Sequence, residues 1–344
     1  MIGSDLHAVL DAVAATKPLS EGRGLAGVDI ATFAKDGGAM PLASYTTIHL
    51  HADASVTVLC GAVEMRQGAH TVITQIVAEE FQLPVTAIRI AHADTALTPF
   101  DALTAASRGT AQTGLAAQQA AREIRRQLLQ LATVQLDADV ASLRLDDGCV
   151  ASDQARLPVT DVLAAASEHY RSELTATGAY GPPQGRFAGF YETAAARASI
   201  EVDEETGVLT VDDYRTATDA GIAINPITAH SQEVGGVVMG LGHALGEQLE
   251  YDEQGLLANG DLARYRVVRS DDLPRHFSAH MIENADGPGP YGAKGMGESS
   301  ILTTAPAVGN AVSRAVGHRF RDLPLTPERI WRAVQSSEAH ESPG

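Results

Sequence analysis

Glu298 closes a stretch, GPGPYGAKGMGESS at 287–300, in which glycine recurs at 287, 289, 292, 295 and 297. Such density excludes a helix or strand interior and predicts a loop shaped for close approach. The two serines and the apolar Ile301–Leu302 that follow place the carboxylate at the edge of the interior. A carboxylate partly removed from water becomes a stronger base, which suits proton abstraction near neutral pH. The same spacing also suits a surface loop whose glutamate caps a helix starting at about Thr304. A second stretch, GAVEMRQGAHT at 61–71, sets Gln67 and Gly68 where a strand turns into a helix. Backbone N–H groups at a helix start, with a side-chain amide beside them, make a corner for an oxo group or phosphate; a plain capping turn reads equally well. Glu64 and His70 have no metal-ligand spacing. In a third stretch, TAASRGTAQTG at 104–114, Ala106, Ser107, Arg108, Gly109 and Thr110 lead into a long helix whose positive end could cradle an anion. It has neither the Gly-Lys-Ser/Thr ending of a P-loop nor a dinucleotide fingerprint, and as an isolated helix cap it is ordinary. Gln232 adds a polar side chain beside paired glycines in HSQEVGG, where packing is the plain alternative.

The elements that must carry these residues follow from periodicity. LHAVLDAVAA predicts a short N-terminal helix, followed by an irregular glycine-rich stretch to about residue 40. TTIHLHAD and SVTVLCGAV alternate around a turn at Asp53–Ala54, a hairpin pattern. GAHTVITQIVAEEF predicts a helix, LPVTAIRIAHAD a strand after Pro84, and 107–135 a long helix. The polar LDDGCVASDQARLP separates these from a short helix in DVLAAASEHY, and the Gly- and Pro-rich GAYGPPQGRFAGF marks a boundary. A hairpin turning at Glu205–Thr206–Gly207, a helix from Pro226, a strand in HFSAHMIE, and helices from about Thr304 and after Pro327 complete the second part. The expected class is α+β with α/β layers, two-lobed, with mixed sheets and packed helices. The expected division is a lead-in over 1–40, a first subdomain over 41–180 and a second over 181–344 that bears the Glu298 loop.

Composition removes several function classes. A formal charge of −18 repels nucleic-acid backbones and anionic lipid. Two cysteines, Cys60 and Cys149, are too few for an iron–sulfur cluster or a disulfide scaffold, so redox metal must arrive with a cofactor. No apolar run reaches membrane-span length, and MIGSDLHAVLDAV has no basic n-region, so a soluble chain without its own signal peptide is expected.

Taken as an ordered series, these motifs resemble the C-terminal half of the molybdopterin-binding subunit of the xanthine dehydrogenase/aldehyde oxidase family, from about residue 20 to 335. The series runs through SVTVLCGAVEMRQGAHTVITQIVAEEFQLP, DTALTPFDALTAASRGTAQTG, AINPITAHSQEVGGVVMGLGHALGEQ, YGAKGMGESSILTTAPAVGNAV and LPLTPERIW. The resemblance implies that Glu298 is the general base beside a pterin-held molybdenum, with Gly297 just before it. It implies that Gln67 and Gly68 approach the cofactor, that Ala106 with Ser107–Thr110 holds the pterin through backbone groups, and that Gln232 contacts the pterin. No protein side chain is expected to ligate the metal directly. The implied activity is water-derived hydroxylation of an aldehyde or N-heterocycle. The implied cofactor is molybdopterin, as the cytosine dinucleotide, with 2Fe–2S clusters and FAD on partner subunits.

Four departures accompany the resemblance. Arg66 stands in place of a glycine before the glutamine, the Gln-x-Glu-Gly-Gly order becomes Gln232-Glu233-Val234-Gly235-Gly236, and Glu-Ser-Ser replaces Glu-Pro-Pro. The chain is also about half the length of the family's molybdenum subunit, so the implied partners include a second subunit carrying the N-terminal cofactor lobe. A cytoplasmic location is expected, or a periplasmic one if a partner carries an export signal. The alternative from a different class is a non-catalytic cofactor-binding or assembly module, an inactive remnant of the same lobe.

Overall fold

The computed structural model describes residues 4–14, 25–37, 43–167, 173–181 and 190–341. The first elements are helix α1 (Leu6–Ala14) and strand β1 (Leu25–Gly37). The alternating segments that follow form the antiparallel pair β2 (Ser44–Leu50) and β3 (Val56–Cys60). Their inward residues Ile48, Leu50, Val56, Val58 and Cys60 share one core with Ile73, Val77 and Phe81 of α2 (Ala69–Phe81). Strand β4 (Ile88–Ile90) returns parallel to β3, as a crossover through α2 requires. The long helix α3 (Gly114–Leu136) lies across this sheet and buries Ala117, Ala120, Ala121, Ile124 and Leu128.

Where a polar separator was expected, a small sheet forms from β5 (Arg144–Asp146), β6 (Cys149–Ala151) and β7 (Arg156–Pro158), leading to α4 (Val159–Ser167). Its strands are too short for alternation to show. Strand β8 (Leu174–Tyr180) completes the first sheet in the order β4-β3-β2-β8. It carries the start of the segment expected as a Gly- and Pro-rich boundary; residues 182–189 of that segment lie outside the described residues. Gly178 is needed here because a Cβ would sit 2.0 Å from the Ala116 carbonyl oxygen of α3.

The second sheet is built on the hairpin of β9 (Phe190–Val202) and β10 (Leu209–Gly221), which turns through Gly207 at φ 71°. Helix α5 (Pro226–Leu245) follows, then β11 (His276–Glu283), parallel to β10. Helices α6 (Ser299–Val316) and α7 (Pro327–Glu341) close the chain. Helices α5, α6 and α7 share a core with the sheet through Ala198, Ile200, Tyr214, Val237, Leu241, Val308, Val312 and Ile330. Elsewhere on the sheet α1 packs Val9 and Val13 with Ala195 and Ala217. Each fully buried valine contributes about 1.5–3 kcal/mol of burial.

Two expectations are corrected. Residues 25–37, read as irregular, are strand β1, which pairs antiparallel with β9 from Leu25↔Val202 to Gly37↔Phe190 and makes the order β1-β9-β10-β11. Its partner is far away in sequence, and its glycine is functional in packing: a Cβ on Gly27 would lie 2.0 Å from the Ala311 carbonyl of α6. The helix expected from about Thr304 starts at Ser299. Ser299, Ser300, Thr303 and Thr304 are poor helix formers that hide the start. They are accommodated because Thr304 returns its hydroxyl to the Ser300 carbonyl at 2.7 Å.

Candidate cofactor cleft

The two layers meet along a few side-chain ties. Glu80 of α2, almost fully buried, accepts from Gln118 Nε2 at 2.8 Å, from Arg122 Nε at 3.0 Å and from the Tyr291 hydroxyl at 3.1 Å. Burial, and then the charge of Glu80, push the Tyr291 hydroxyl up to about 12. Asn225, at the N-cap of α5, donates to Gln75 Oε1 at 3.1 Å.

Above these ties, the loop before α2, the segment before α3, residues 222–232 and the loop 294–298 enclose a cleft of about 380 Å3. Its walls include Gln67, Ala106, Ser107, Arg108, Gly109, Thr110, Gln232, Gly297 and Glu298. Gly68 does not line it. That residue sits behind the wall at φ 81°, where a Cβ would come 2.9 Å from Cγ2 of Thr228. A wider groove of about 900 Å3 adjoins the cleft through Ile222, Ala223 and Ile224. It is larger and is lined by Gln75 and Tyr291 of the ties, but by none of the site residues expected from the sequence.

Glu298 occupies the N-cap position of α6 yet makes no capping hydrogen bond through its side chain, so the capping alternative fails. Its half-buried carboxylate instead accepts from Ser107 Oγ at 3.4 Å, linking the two glycine-bearing segments across the cleft. The contact between those segments is close: a Cβ on Gly295 would lie 1.5 Å from the Ser107 carbonyl oxygen. A Cβ on Gly297 would meet nothing nearer than Ser107 Oγ at 3.6 Å.

Ala106 and Ser107 both take left-handed conformations, at φ 55° and 53°. Two consecutive non-glycine residues there carry real cost, held by their surroundings. A turn of π-helix at Gly109–Thr113 follows and runs into α3. Within this turn the Gln112 N–H bonds the Arg108 carbonyl at 2.7 Å; the residues before it stand at the helix start, where the first N–H groups have no intrahelical partner. Beside them, Gly109 leaves open space where a Cβ would stand. The Arg108 guanidinium does not serve the cleft. It is buried and bonds Asp101 at 2.8 Å, the Leu103 carbonyl at 2.7 Å, Ser44 Oγ at 2.9 Å and Gln112 Oε1 at 3.0 Å. The Arg108 backbone is engaged as well, its N–H donating to the Ala105 carbonyl at 3.3 Å and its carbonyl accepting from the Gln112 N–H at 2.7 Å.

The corner before α2 is partly filled by the protein itself. Glu64 accepts from the N–H groups of Gly68 and His70 at 3.0 and 3.1 Å. Burial pushes its carboxyl up, but backbone N–H bonds from His70, Gly68 and Arg66 together with the nearby His70 outweigh it and hold the group below the usual range. The α2 start is therefore capped rather than open to an anion. Gln67 donates to the Val63 carbonyl at 2.8 Å and accepts from the Met65 N–H at 2.5 Å, which fixes its amide at the rim. Arg66 is exposed at φ 75°, a conformation natural to glycine.

Two buried residues that support the walls escaped sequence reasoning. Lys294 is fully buried between Asp219 at 2.8 Å and Asp286 at 2.5 Å and anchors the loop that ends at Glu298. Glu192 of β9 is also fully buried and accepts from the Glu298 N–H at 3.2 Å. The Lys in GAKGMGE was visible as a lone cation among glycines, but no sequence signal ties it to Asp219.

The donors of the cleft are neutral amides, backbone N–H groups and open glycine positions, a set that fits a polyoxygenated, heterocyclic group rather than a bare ion. Among the described residues, no group of three or more His, Cys, Asp or Glu is arranged to hold a metal. A metal held here would bring its own ligands.

The model of the molybdopterin cofactor-binding domain family matches residues 4–274, most of the chain. The chain belongs to this family. It shares it with molybdenum-binding subunits of the xanthine dehydrogenase and aldehyde oxidase group. The chain is 32% identical over 292 residues to the gamma subunit of the 6-hydroxypseudooxynicotine dehydrogenase complex of Paenarthrobacter nicotinovorans, covering 81% of this chain and 36% of that one. It is 27% identical to the carbon monoxide dehydrogenase large chain of Hydrogenophaga pseudoflava, covering 90% and 41%. Among solved structures, Cu,Mo-CO dehydrogenase superposes with a TM-score of 0.84 at 25% identity over 93% of this chain and 42% of that chain. Quinoline 2-oxidoreductase from Pseudomonas Putida 86 superposes with a TM-score of 0.82 at 26% identity, again over 93% and 42%. The α+β architecture is thus that of a molybdopterin-binding lobe. The chain spans less than half the length of these relatives, and the family match ends before the loop that carries Glu298. No helix among the described residues is long and apolar enough to cross a membrane.

Proposed function

We propose that this chain is the base-bearing half of a molybdenum hydroxylase, completed by a subunit that carries the N-terminal cofactor lobe. One observation carries the reading: the Glu298 carboxylate, which does not cap α6, meets Ser107 in the same cleft as Gln67, Ala106–Thr110 and Gln232. When bound, molybdopterin supplies the two-electron redox chemistry. Backbone groups of Ala106–Thr110 and the amides of Gln67 and Gln232 hold the pterin, and the open positions at Gly109 and Gly297 allow it to approach. Glu298 accepts the proton from the water-derived oxygen donor on its carboxylate, and Ser107 orients that carboxylate. The substrate class is a small aldehyde or N-heterocycle. Electrons leave through 2Fe–2S and FAD partner subunits, since the two cysteines here, one of them buried, offer no cluster ligation. The groove beside the cleft has room for the nucleotide of an extended cofactor, in keeping with the cytosine dinucleotide form. The complex works in the cytoplasm, or in the periplasm if a partner is exported.

The test is Glu298→Gln in the assembled complex. The variant keeps its molybdenum and loses turnover by at least about 100-fold, the range expected for loss of a general base. Metal retained with near-parental turnover removes Glu298 from the reaction and favours the non-catalytic module, for which the strained, exposed Arg66 at the rim is the structural argument.

A further inference from the structure

Behind the cleft, where β9, β10, α5 and α6 meet, two carboxyl groups are buried. Glu192 comes from β9 and Glu233 from α5, and neither has solvent access. Oε1 of Glu192 accepts the backbone N–H of Glu298 at 3.2 Å and the hydroxyl of Ser299 at 2.5 Å. These are the N-cap residue and the first residue of α6. A helix start needs acceptors for its first N–H groups, and a negative charge there is favourable. Glu298 does not provide this service with its own side chain. Glu192 does so from another strand.

Glu233 lies in the buried stripe of α5 with Val237, Gly240 and Leu241. Its Oε2 accepts from Thr216 at 3.4 Å, while Oε1 has no hydrogen-bond partner. Burial first, and then the charge of Glu192, raise this carboxyl to about 8, so at neutral pH Glu233 keeps its proton. Among the described residues, the Tyr214 hydroxyl, which bonds Thr304 at 2.9 Å, lies within reach of the Glu233 carboxyl; across the β1–β9 pair, Lys35 stands opposite Glu192 in register. Oε1 of Glu192 faces the Glu298 peptide.

We propose that Glu192 is a positioning residue for Glu298: as the external cap of α6 it holds the Glu298 peptide in place and leaves that residue's carboxylate to the cleft. The inference rests on the reading of Glu298 as the base. It adds a residue that touches neither cofactor nor substrate.

Three variants in the cofactor-loaded complex test it, with Glu298→Gln run alongside. Glu192→Ala lowers kcat by about 10- to 100-fold with KM within about twofold, the signature of a displaced group rather than lost substrate binding. In the same variant, hydrogen exchange at the backbone amides of 298–300 accelerates, a readout independent of turnover. Glu192→Gln retains an acceptor oxygen and restores kcat to within about fivefold of the parent, with slow exchange. Ser299→Ala removes one of the two bonds without disturbing either carboxyl, so it serves if the alanine variant at 192 does not fold. A loss of about threefold in kcat with faster exchange is expected from it. Parental kcat and exchange in both Glu192→Ala and Ser299→Ala overturn the inference, as does a glutamine at 192 that rescues nothing. If Glu298→Gln is itself active, the proposed function fails; if it is inactive while the Glu192 and Ser299 variants behave as the parent, only this inference fails.

Discussion

An ideal Cβ on Gly295 would overlap the Ser107 carbonyl, whereas one on Gly109 would meet nothing within 4 Å. Gly295→Ala therefore forces the two cleft walls apart and destabilises the chain by about 1–3 kcal/mol, the cost of overpacking. Gly109→Ala stays within about 0.5 kcal/mol of the parent, as an unobstructed surface change does. The second substitution instead places a methyl group where the pterin is proposed to approach, so molybdenum content per complex falls while the melting temperature holds. Thermal denaturation with metal analysis of both variants separates the two roles; a full metal load in Gly109→Ala would show that the cofactor lies elsewhere. At this scale the sequence was informative where a residue type is scarce in a setting: a glutamate after a run of glycines, a glutamine at a strand–helix turn. It was silent where the partner is distant. Nothing in FYETAAARASIEV shows that Glu192 meets the Glu298 peptide 106 positions later, and nothing in SRGT shows that Arg108 turns inward to Asp101.

Helix α5 buries a carboxyl because its apolar stripe passes through position 233. A step of one residue turns the side chain by about 100° around the axis, and the next position, Val234, is only half-buried. The departure from the family's Gln-x-Glu-Gly-Gly order therefore has a consequence for stability. The native Glu233 keeps its proton up to about pH 8, while the unfolded carboxyl releases it near 4.5. Between these values the native state binds the extra proton, so stability falls as pH rises through the window, by at most about 1.4 kcal/mol per unit, and levels off above it. Glu233→Gln cannot ionise in either state, so its unfolding free energy rises relative to the parent from pH 5 to pH 8. Urea titrations at pH 5, 6.5 and 8 check this, and curves that stay parallel would contradict a protonated Glu233. Elements of this length were legible when one face was wet, as in β2, β3 and the helices that follow. Strand β1 was not, because it depends on β9 for its pairing and on Gly27 for the approach of α6, and β9 itself is buried on both faces and shows little alternation.

At the scale of the whole molecule, the proposed function makes the cleft one wall of a site. The loops that lead into the cleft carry exposed apolar side chains: Met65, which lines it, and Val63, Leu97, Phe100 and Leu103, with Phe100 at 63%. They belong to two neighbouring loops, joined where the Val63 N–H donates to Thr104 Oγ1 at 3.0 Å. Large apolar side chains exposed on joined loops are the kind of surface that interaction sites use, and the chain covers only 42% of the solved CO dehydrogenase chain that it superposes on. If the proposed partner lobe covers these loops, Phe100→Glu should leave the stability of the chain alone within about 0.5 kcal/mol, since its ring is already largely in water. The same change should cut recovery of the partner in co-purification severely, because a charge would then be buried without a counter-ion at the interface. Molybdenum should follow the partner: bound to the co-purified complex, lost from the Phe100→Glu chain. Full molybdenum in the chain on its own, or undiminished partner recovery with glutamate at position 100, would mean that the cleft is closed by some other surface and that these loops do not face the second lobe.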